Sequence, residues 1–323
     1  MVKQLSNPKL KDPIFIAAWP GMGEVAYRSA LFLKEAMGFK VFAKIEAHDF
    51  FKPAAIAVEK GVIDMPSPPA GLFYYYKGRE GPDIVIFLGH AQPPLEHAEE
   101  LSEAVVDFIK KYKPKLVLTF AAKPESIDHK QNPLVWLAAT HQVVLNKFKK
   151  TKTKVLKKGH ISGLNGIILG VAKKKGFRGA CFLAEIPFYT LQIENPKAAA
   201  AILELISGVF GIKMDISSMW RRAKFIEKEI DKLISYLKGE AKPEGPTPLS
   251  EEDVQKIKKD LAAYTKIPQS IREKIENLFR DARKDITLAS KLKEELDNWN
   301  IYAEYEDRFL DLFRKRGPNK GIN

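Results

Sequence analysis

Ile14-Phe15-Ile16-Ala17-Ala18-Trp19-Pro20-Gly21-Met22-Gly23-Glu24-Val25-Ala26 is the stretch on which the reading of the fold turns. Its first five residues are an unbroken apolar run, as in a strand buried on both faces. Proline and two glycines then stop the run, and a helix is expected over residues 24–37, with Val25, Leu31 and Leu33 among its apolar positions. A buried strand, a glycine turn and a helix, in that order, open an α/β unit.

The pattern repeats outward from there. Strands are expected at residues 39–45, 72–76, 83–88, 115–120, 135–140 and 179–185. Helices are expected at 95–112, where Leu101, Val105, Phe108 and Ile109 share one face, then in a short segment after 140, and at 167–175 and 197–210. Strands alternating with helices predict a largely parallel sheet covered on both faces. A long amphipathic helix follows at 217–238, where Trp220, Ala223, Ile226, Ile230, Leu233 and Leu237 recur at three- and four-residue steps.

Composition bounds the answer further. At 323 residues the chain is long enough for about two domains and a core that needs no covalent staple. It is 45% hydrophobic and 29% charged, a globular balance. Cys181 is the only cysteine, which excludes a disulfide framework within one chain and fits a reducing cytoplasm. No apolar stretch approaches the ~18 residues of a membrane helix, and the first 13 residues lack the apolar core of an export signal.

The net charge of +13 is unevenly placed. Residues 239–323 hold 17 Lys/Arg and 17 Asp/Glu, so the whole excess lies before them. Seven lysines fall in 147–158; Lys110, Lys111, Lys113 and Lys115 form a second cluster, and Lys173, Lys174, Lys175 and Arg178 a third. These clusters lack interleaved aromatics and the motifs of nucleic-acid folds, so they read as a solvated basic surface rather than a nucleic-acid site.

Residues 239–248 carry three prolines and two glycines and read as a linker. Three regions result: an α/β domain at 1–238, a linker at 239–249 and a helical extension at 250–323. Ser250 with Asp253 starts that extension as a capping pair. Ile271, Ile275, Leu278, Ala282, Ile286, Ala289, Leu292, Leu296 and Trp299 then form one heptad-like stripe, continued by Tyr302, Tyr305, Phe309 and Leu312. Such a stripe must be covered, either by folding back on the chain or by a partner helix.

Candidate chemistry sits where strands meet turns. Gly21 and Gly23 allow a tight turn before a helix whose amides could face an anion, but the third glycine of a dinucleotide site and the lysine of a phosphate loop are missing. Gly163, Asn165 and Gly166 form a second such corner, with Ser162 or Asn165 as a helix cap. Gly89, His90 and Gln92 follow a strand at the edge where open α/β sheets bind ligands, and Glu185 ends another strand. Glu185 reads equally as a structural acid. The six histidines form no i,i+4 pair and Cys181 has no cysteine neighbour, so neither zinc nor a cofactor is expected, and no catalytic constellation can be named.

Together these segments resemble the proteasome assembly chaperone 2 family. The resemblance rests on residues 14–26, on Phe87-Leu88-Gly89-His90-Ala91-Gln92-Pro93, and on Ser162–Gly166 followed by Ala184-Glu185-Ile186-Pro187-Phe188-Tyr189, in that order and spacing, and it covers residues 10–238. It implies a three-layer α/β/α sandwich with a mixed, largely parallel sheet similar to the phosphorylase/hydrolase-like fold, with the α-helical C-terminal extension lying outside the family core. It also implies a homo-oligomeric cytoplasmic assembly factor for a proteasome-like complex. Some archaeal members dock through a C-terminal hydrophobic-tyrosine-any tail; this sequence ends Gly321-Ile322-Asn323 and departs from that pattern. The alternative is an enzyme or sensor holding a nucleotide- or nucleoside-like ligand at Gly21, Gly23, Gly89, Gln92, Gly163, Asn165, Gly166 and Glu185.

Overall fold

Each apolar run read as a strand in the sequence becomes a strand of one sheet. In chain order the strands are β1 (Val2–Gln4), β2 (Ile14–Ala18), β3 (Lys40–Glu46), β4 (Ala57–Glu59), β5 (Val62–Asp64), β6 (Ala70–Tyr76), β7 (Ile84–Gly89), β8 (Leu116–Glu125), β9 (Val135–Ala139), β10 (Thr153–Val155) and β11 (Gly179–Pro187). The helices are α1 (Val25–Met37), α2 (Ala98–Lys110), α3 (Gln142–Phe148), α4 (Leu164–Lys174), α5 (Pro196–Phe210), α6 (Ser217–Leu237), α7 (Gln269–Lys284), α8 (Ala289–Asn298) and α9 (Tyr302–Leu310). The computed structural model describes residues 2–46, 50–51, 56–65, 69–79, 81–237, 269–299 and 301–313. The expected linker and the Ser250/Asp253 cap lie outside the described residues. The chain divides into two compact units, Met1–Ile230 and Asp231–Asn323.

In the first unit nine strands form one sheet in the order β1-β3-β6-β7-β2-β8-β11-β9-β10. The four central strands β7, β2, β8 and β11 run parallel. Toward one edge β6, β3 and β1 alternate in direction, and toward the other β9 runs against β11 before β10 joins it in parallel. The sheet is therefore mixed, with a parallel centre. β4 and β5 form a separate two-stranded sheet.

Strand alternation divides the core. Phe15, Ala17, Val85, Phe87, Cys181 and Leu183 look into the layer of α2 and α4, and Phe42 and Phe73 extend it under Phe108 and Tyr112. Ile14, Ile16, Ala18, Ile86 and Phe182 belong to the other face, where α1 and α5 pack through Leu33, Ala30, Ile202 and Ile206. The fully buried phenylalanines, leucines, isoleucines and valine among them each contribute about 1.5–3 kcal/mol. Helices on both faces of a mixed sheet make the expected three-layer α/β/α sandwich.

The second unit departs from the single stripe. α7 ends at Lys284, Asp285 accepts hydrogen bonds from Thr287 N and Oγ1 at 3.0 and 2.7 Å, and the chain turns before α8 and again before α9. Ile275, Phe279, Ala282, Leu292, Leu296, Trp299 and Phe309 meet in its core, so this part of the stripe is covered by the chain itself. Ile286, a member of the stripe, falls in the turn and is exposed. Phe279 and Ile301, outside it, are buried. Buried Glu295 is held by Lys274 at 2.6 Å and by the Trp299 indole at 3.1 Å.

Candidate functional site

Three segments converge at the C-terminal edge of the parallel strands: residues 19–23 after β2, 89–92 after β7, and 161–166 entering α4. Gln92 joins the outer two. Its Nε2 donates to Pro20 O at 2.5 Å and its Oε1 accepts from Leu164 N at 3.1 Å. Asn165 closes the third side: Oδ1 accepts from Trp19 N at 3.0 Å, and Nδ2 donates to Trp19 O at 3.2 Å. A side-chain amide thus pairs with the backbone just past β2 as a neighbouring strand would.

The glycines of this corner mostly serve close approach. A Cβ on Gly89 would lie 2.2 Å from Trp19 Nε1, so the buried indole rests directly on that backbone. Gly163 has φ +73°, and a Cβ there would meet Gln92 Oε1 at 2.6 Å. A Cβ on Gly166 would be 2.1 Å from Ile161 O. Gly21 differs, since its extended backbone and a nearest contact of 3.7 Å leave room for a side chain. Gly23, at φ +59°, donates to Leu191 O and accepts from Asn195 N, both at 2.8 Å, and so ties the turn to the segment after β11.

Asn165 and Gly166 lie inside α4, which starts at Leu164 rather than at 167. Its cap is Gly163, with no side-chain bond, so neither Ser162 nor Asn165 caps it. Asn165 is freed for Trp19 instead.

Glu185 is not joined to this corner. Its carboxylate accepts from Leu134 N at 3.1 Å and from the Trp136 indole at 2.7 Å, which places it on the seam between β11 and β9. Both oxygens are occupied, and only 7% of the residue is exposed.

Sequence reasoning missed a neighbouring cluster. Lys197, in the first turn of α5, is buried and donates to His129 O at 2.9 Å, Lys130 O at 3.0 Å and Gln131 O at 3.4 Å, and it forms an ion pair with Glu227 of α6. The Tyr189 hydroxyl accepts from His129 N at 2.9 Å and lies 3.0 Å from the His129 ring nitrogen Nδ1. The loop after β8 is thereby fastened to α5 and α6. One sequence signal was available: Asn195 before Pro196 marks a helix start, and Asn195 Oδ1 does accept from Ala198 N at 3.0 Å.

What remains open at the strand edge is a cleft of about 510 Å³, lined by residues including Pro20, Gly21, Glu24, His90, Gln92 and Gln192. Among the described residues that line it there is no serine, threonine or cysteine. Cys181 lies in the core, where burial pushes its thiol up to about 12, an effect slightly opposed by the Thr119 hydroxyl beside it. Among the described residues no group of three or more His, Cys, Asp and Glu could hold a metal ion, and no helix is long and apolar enough to cross a membrane.

Comparison with known proteins places this geometry. Residues 15–234 match the model of the PAC2 family. An uncharacterised protein of Methanocaldococcus jannaschii is 25% identical over 250 residues, covering 77% of this chain and 93% of the relative. The structure is similar to that of Pyrococcus furiosus PbaB, described as an archaeal proteasome activator, with a TM-score of 0.62 and 26% identity over 72% of this chain and 98% of PbaB. It shares the fold of PbaA from the same organism, described as an archaeal homolog of proteasome-assembly chaperone, with a TM-score of 0.57 and 23% identity over 72% of this chain and 96% of PbaA.

Proposed function

Because this chain belongs to the PAC2 family, we propose that it is a protein-binding assembly factor, a homo-oligomeric cytoplasmic scaffold whose partner is a proteasome-like complex. The observation that carries this reading is the alignment with PbaB along 98% of that protein at 26% identity. The strand-edge corner supports it from the other side. Gln92 and Asn165, the polar side chains best placed for a ligand, are engaged with Pro20, Leu164 and Trp19. In this reading the corner is a brace that fixes three loops, and partner recognition belongs to the surface. Residues 1–238 carry the family function, and the extension at 250–323, which lies beyond the family match, is an accessory module.

The test is to mix the full chain with recombinant proteasome α-subunits of its own organism and record native masses. A complex of defined stoichiometry is expected, and α-subunits that elute and weigh the same with or without the chain would overturn the assignment.

A second reading, a nucleotide- or nucleoside-like ligand, draws on the cleft of about 510 Å³. There Gly21 and Gln92 would touch the ligand, Gly23, Gly89, Gly163, Asn165 and Gly166 would shape the loops behind them, and Glu185 would stay outside. Ligand binding to the native state raises Tm. A rise with nucleosides, nucleotides or phosphate would favour this reading, and no rise across that panel would reject it.

A further inference from the structure

Aspartate and glutamate make up 40 of the 323 residues, yet residues 129–184 contain neither and hold twelve Lys/Arg. Lys174 and Lys175, at the end of α4, find carboxylates in Glu99 and Asp107 of α2, both at 2.6 Å. The seven lysines of 147–158 do not: among the described residues none of them forms an ion pair.

The place of that unpaired charge decides what it can bind. β10 is the last strand of the nine-stranded sheet, with β9 as its one neighbour there. Leu156 N, just past β10, donates to Leu137 O of β9 at 2.9 Å. Successive residues of a strand turn their N–H and C=O to opposite sides, so those of Val155 face outward, where no strand of the sheet follows. Lys152, Lys154, Lys157 and Lys158 are exposed around this free edge. Lys154 is paired in register with Trp136, and its ammonium lies 5.6 Å from the centre of the indole ring, with that of Lys123 at 4.4 Å.

We propose that the β10 edge takes an extended acidic segment of the protein partner as an added strand, an inference that rests on the reading of the chain as a protein-binding factor. The added strand bonds to the Val155 amide and carbonyl. It lies about 4.8 Å from β10, so its alternate carboxylates reach Lys154 and the lysines beside it. The same lysines refuse a second copy of this edge, because like charges would then face each other along it. A nucleic acid finds less here. The Trp136 ring already lies beneath two ammoniums and its N–H is spent on Glu185 at 2.7 Å, so it is no open platform for a base. Outward main-chain groups spaced for another strand serve a polypeptide.

The probe is a fluorescein-labelled octapeptide of alternating glutamate and valine, titrated into the full chain and followed by anisotropy. Binding is expected, and it should weaken as salt rises. Lys152→Glu/Lys154→Glu should lose at least ten-fold in affinity. Lys3→Glu/Lys9→Glu makes the same change in net charge on exposed residues in and after β1, at the opposite edge of the sheet, and should lose less than three-fold. Val155→Pro keeps every lysine and removes the outward N–H, which an edge strand tolerates, and should lose at least five-fold with wild-type circular dichroism. The lysine variants keep the test open if the proline variant does not fold. No binding of the peptide, or equal losses in the two lysine variants, overturns the inference, and a folded Val155→Pro that binds as wild type does overturns strand addition. Tighter binding of labelled oligo(dT) than of the peptide, abolished by Lys152→Glu/Lys154→Glu, identifies a nucleic-acid surface and also overturns it. A complex with proteasome α-subunits that is unchanged in Lys152→Glu/Lys154→Glu leaves the proposed function standing and sinks this inference. The expected peptide binding by a chain that forms no complex with α-subunits supports the edge and overturns the partner named above.

Discussion

Asn165 and Trp19, 146 positions apart in sequence, are joined by a reciprocal pair of hydrogen bonds. Trp19 N donates to Asn165 Oδ1 and Asn165 Nδ2 donates to Trp19 O. Through this pair the first turn of α4 takes the place of a strand neighbour for the backbone leaving β2. Asn165→Ala leaves a buried donor and a buried acceptor without partners, and each such group costs about 1–3 kcal/mol. The expected loss of unfolding free energy in urea is about 2–6 kcal/mol. Asn165→Asp should be at least as damaging, because a carboxylate oxygen then faces the Trp19 carbonyl. Wild-type stability in both variants would show that the pair contributes nothing.

The close approach of Gly89 to Trp19 gives a second prediction. Gly89→Ala forces the indole or the strand end to move and should cost about 1–3 kcal/mol or more, as overpacking does. Gly170, on the exposed side of α4 with no atom within 4 Å of a built Cβ, is the control. Gly170→Ala should stabilise by up to about 1 kcal/mol through helix propensity. Urea melts of the two variants should therefore move in opposite directions.

Lys197→Met removes the cation that serves three carbonyls and Glu227. Glu227 keeps access to water, so the loss comes mainly from the carbonyls left without their donor, and about 1–3 kcal/mol is expected. Faster proteolysis within 128–131 should accompany it, because Lys197 anchors that loop. A variant with unchanged protease resistance and stability would mean that the loop is held by other contacts.

Cys181 sets a pH dependence. Its thiol ordinarily titrates near 9.0, and burial raises it to about 12 in the folded chain. The folded state therefore holds the proton more tightly than the unfolded one. Its contribution to stability is complete below pH 9, falls as pH rises, and is lost by about pH 12. Replacing Cys181 by alanine should flatten the fall in Tm between pH 9 and pH 11, after allowance for the cavity it leaves. At pH 8 the native thiol should resist a disulfide reagent that reacts at once in 6 M guanidinium.

The central strands were legible because each is an uninterrupted apolar run bounded by glycine or proline. The structure gives Ile14–Ala18 with the expected ends, and Ile84–Gly89 within one residue of them. What local pattern concealed was pairing. β1 and β10 are short edge strands with too few apolar residues to stand out, and β4 and β5 alternate over only three residues each. The start of α4 was misplaced because Asn165 and Gly166 look like turn residues. They enter the helix because Asn165 is needed by Trp19 and Gly166 fits beneath Ile161 O. The glycines of this corner stand out by type, but their use in packing depends on Trp19 and Gln92. Glu185 lies two residues inside β11 rather than at its end, and only the position of Trp136 on β9 reveals where its carboxylate goes. In the extension the apolar stripe was visible, whereas its breaks at Asp285 and after Trp299 depend on capping and on contacts between helices.

The native mass spectrum of the full chain, taken alone and after mixing with proteasome α-subunits of the same organism, is the most direct test. A homo-oligomer alone and a stoichiometric complex after mixing are the expected results. A chain that stays monomeric and leaves the α-subunits unaltered, while its Tm rises with a nucleoside or nucleotide, would contradict the account and move the function to the cleft beside Gly21 and Gln92.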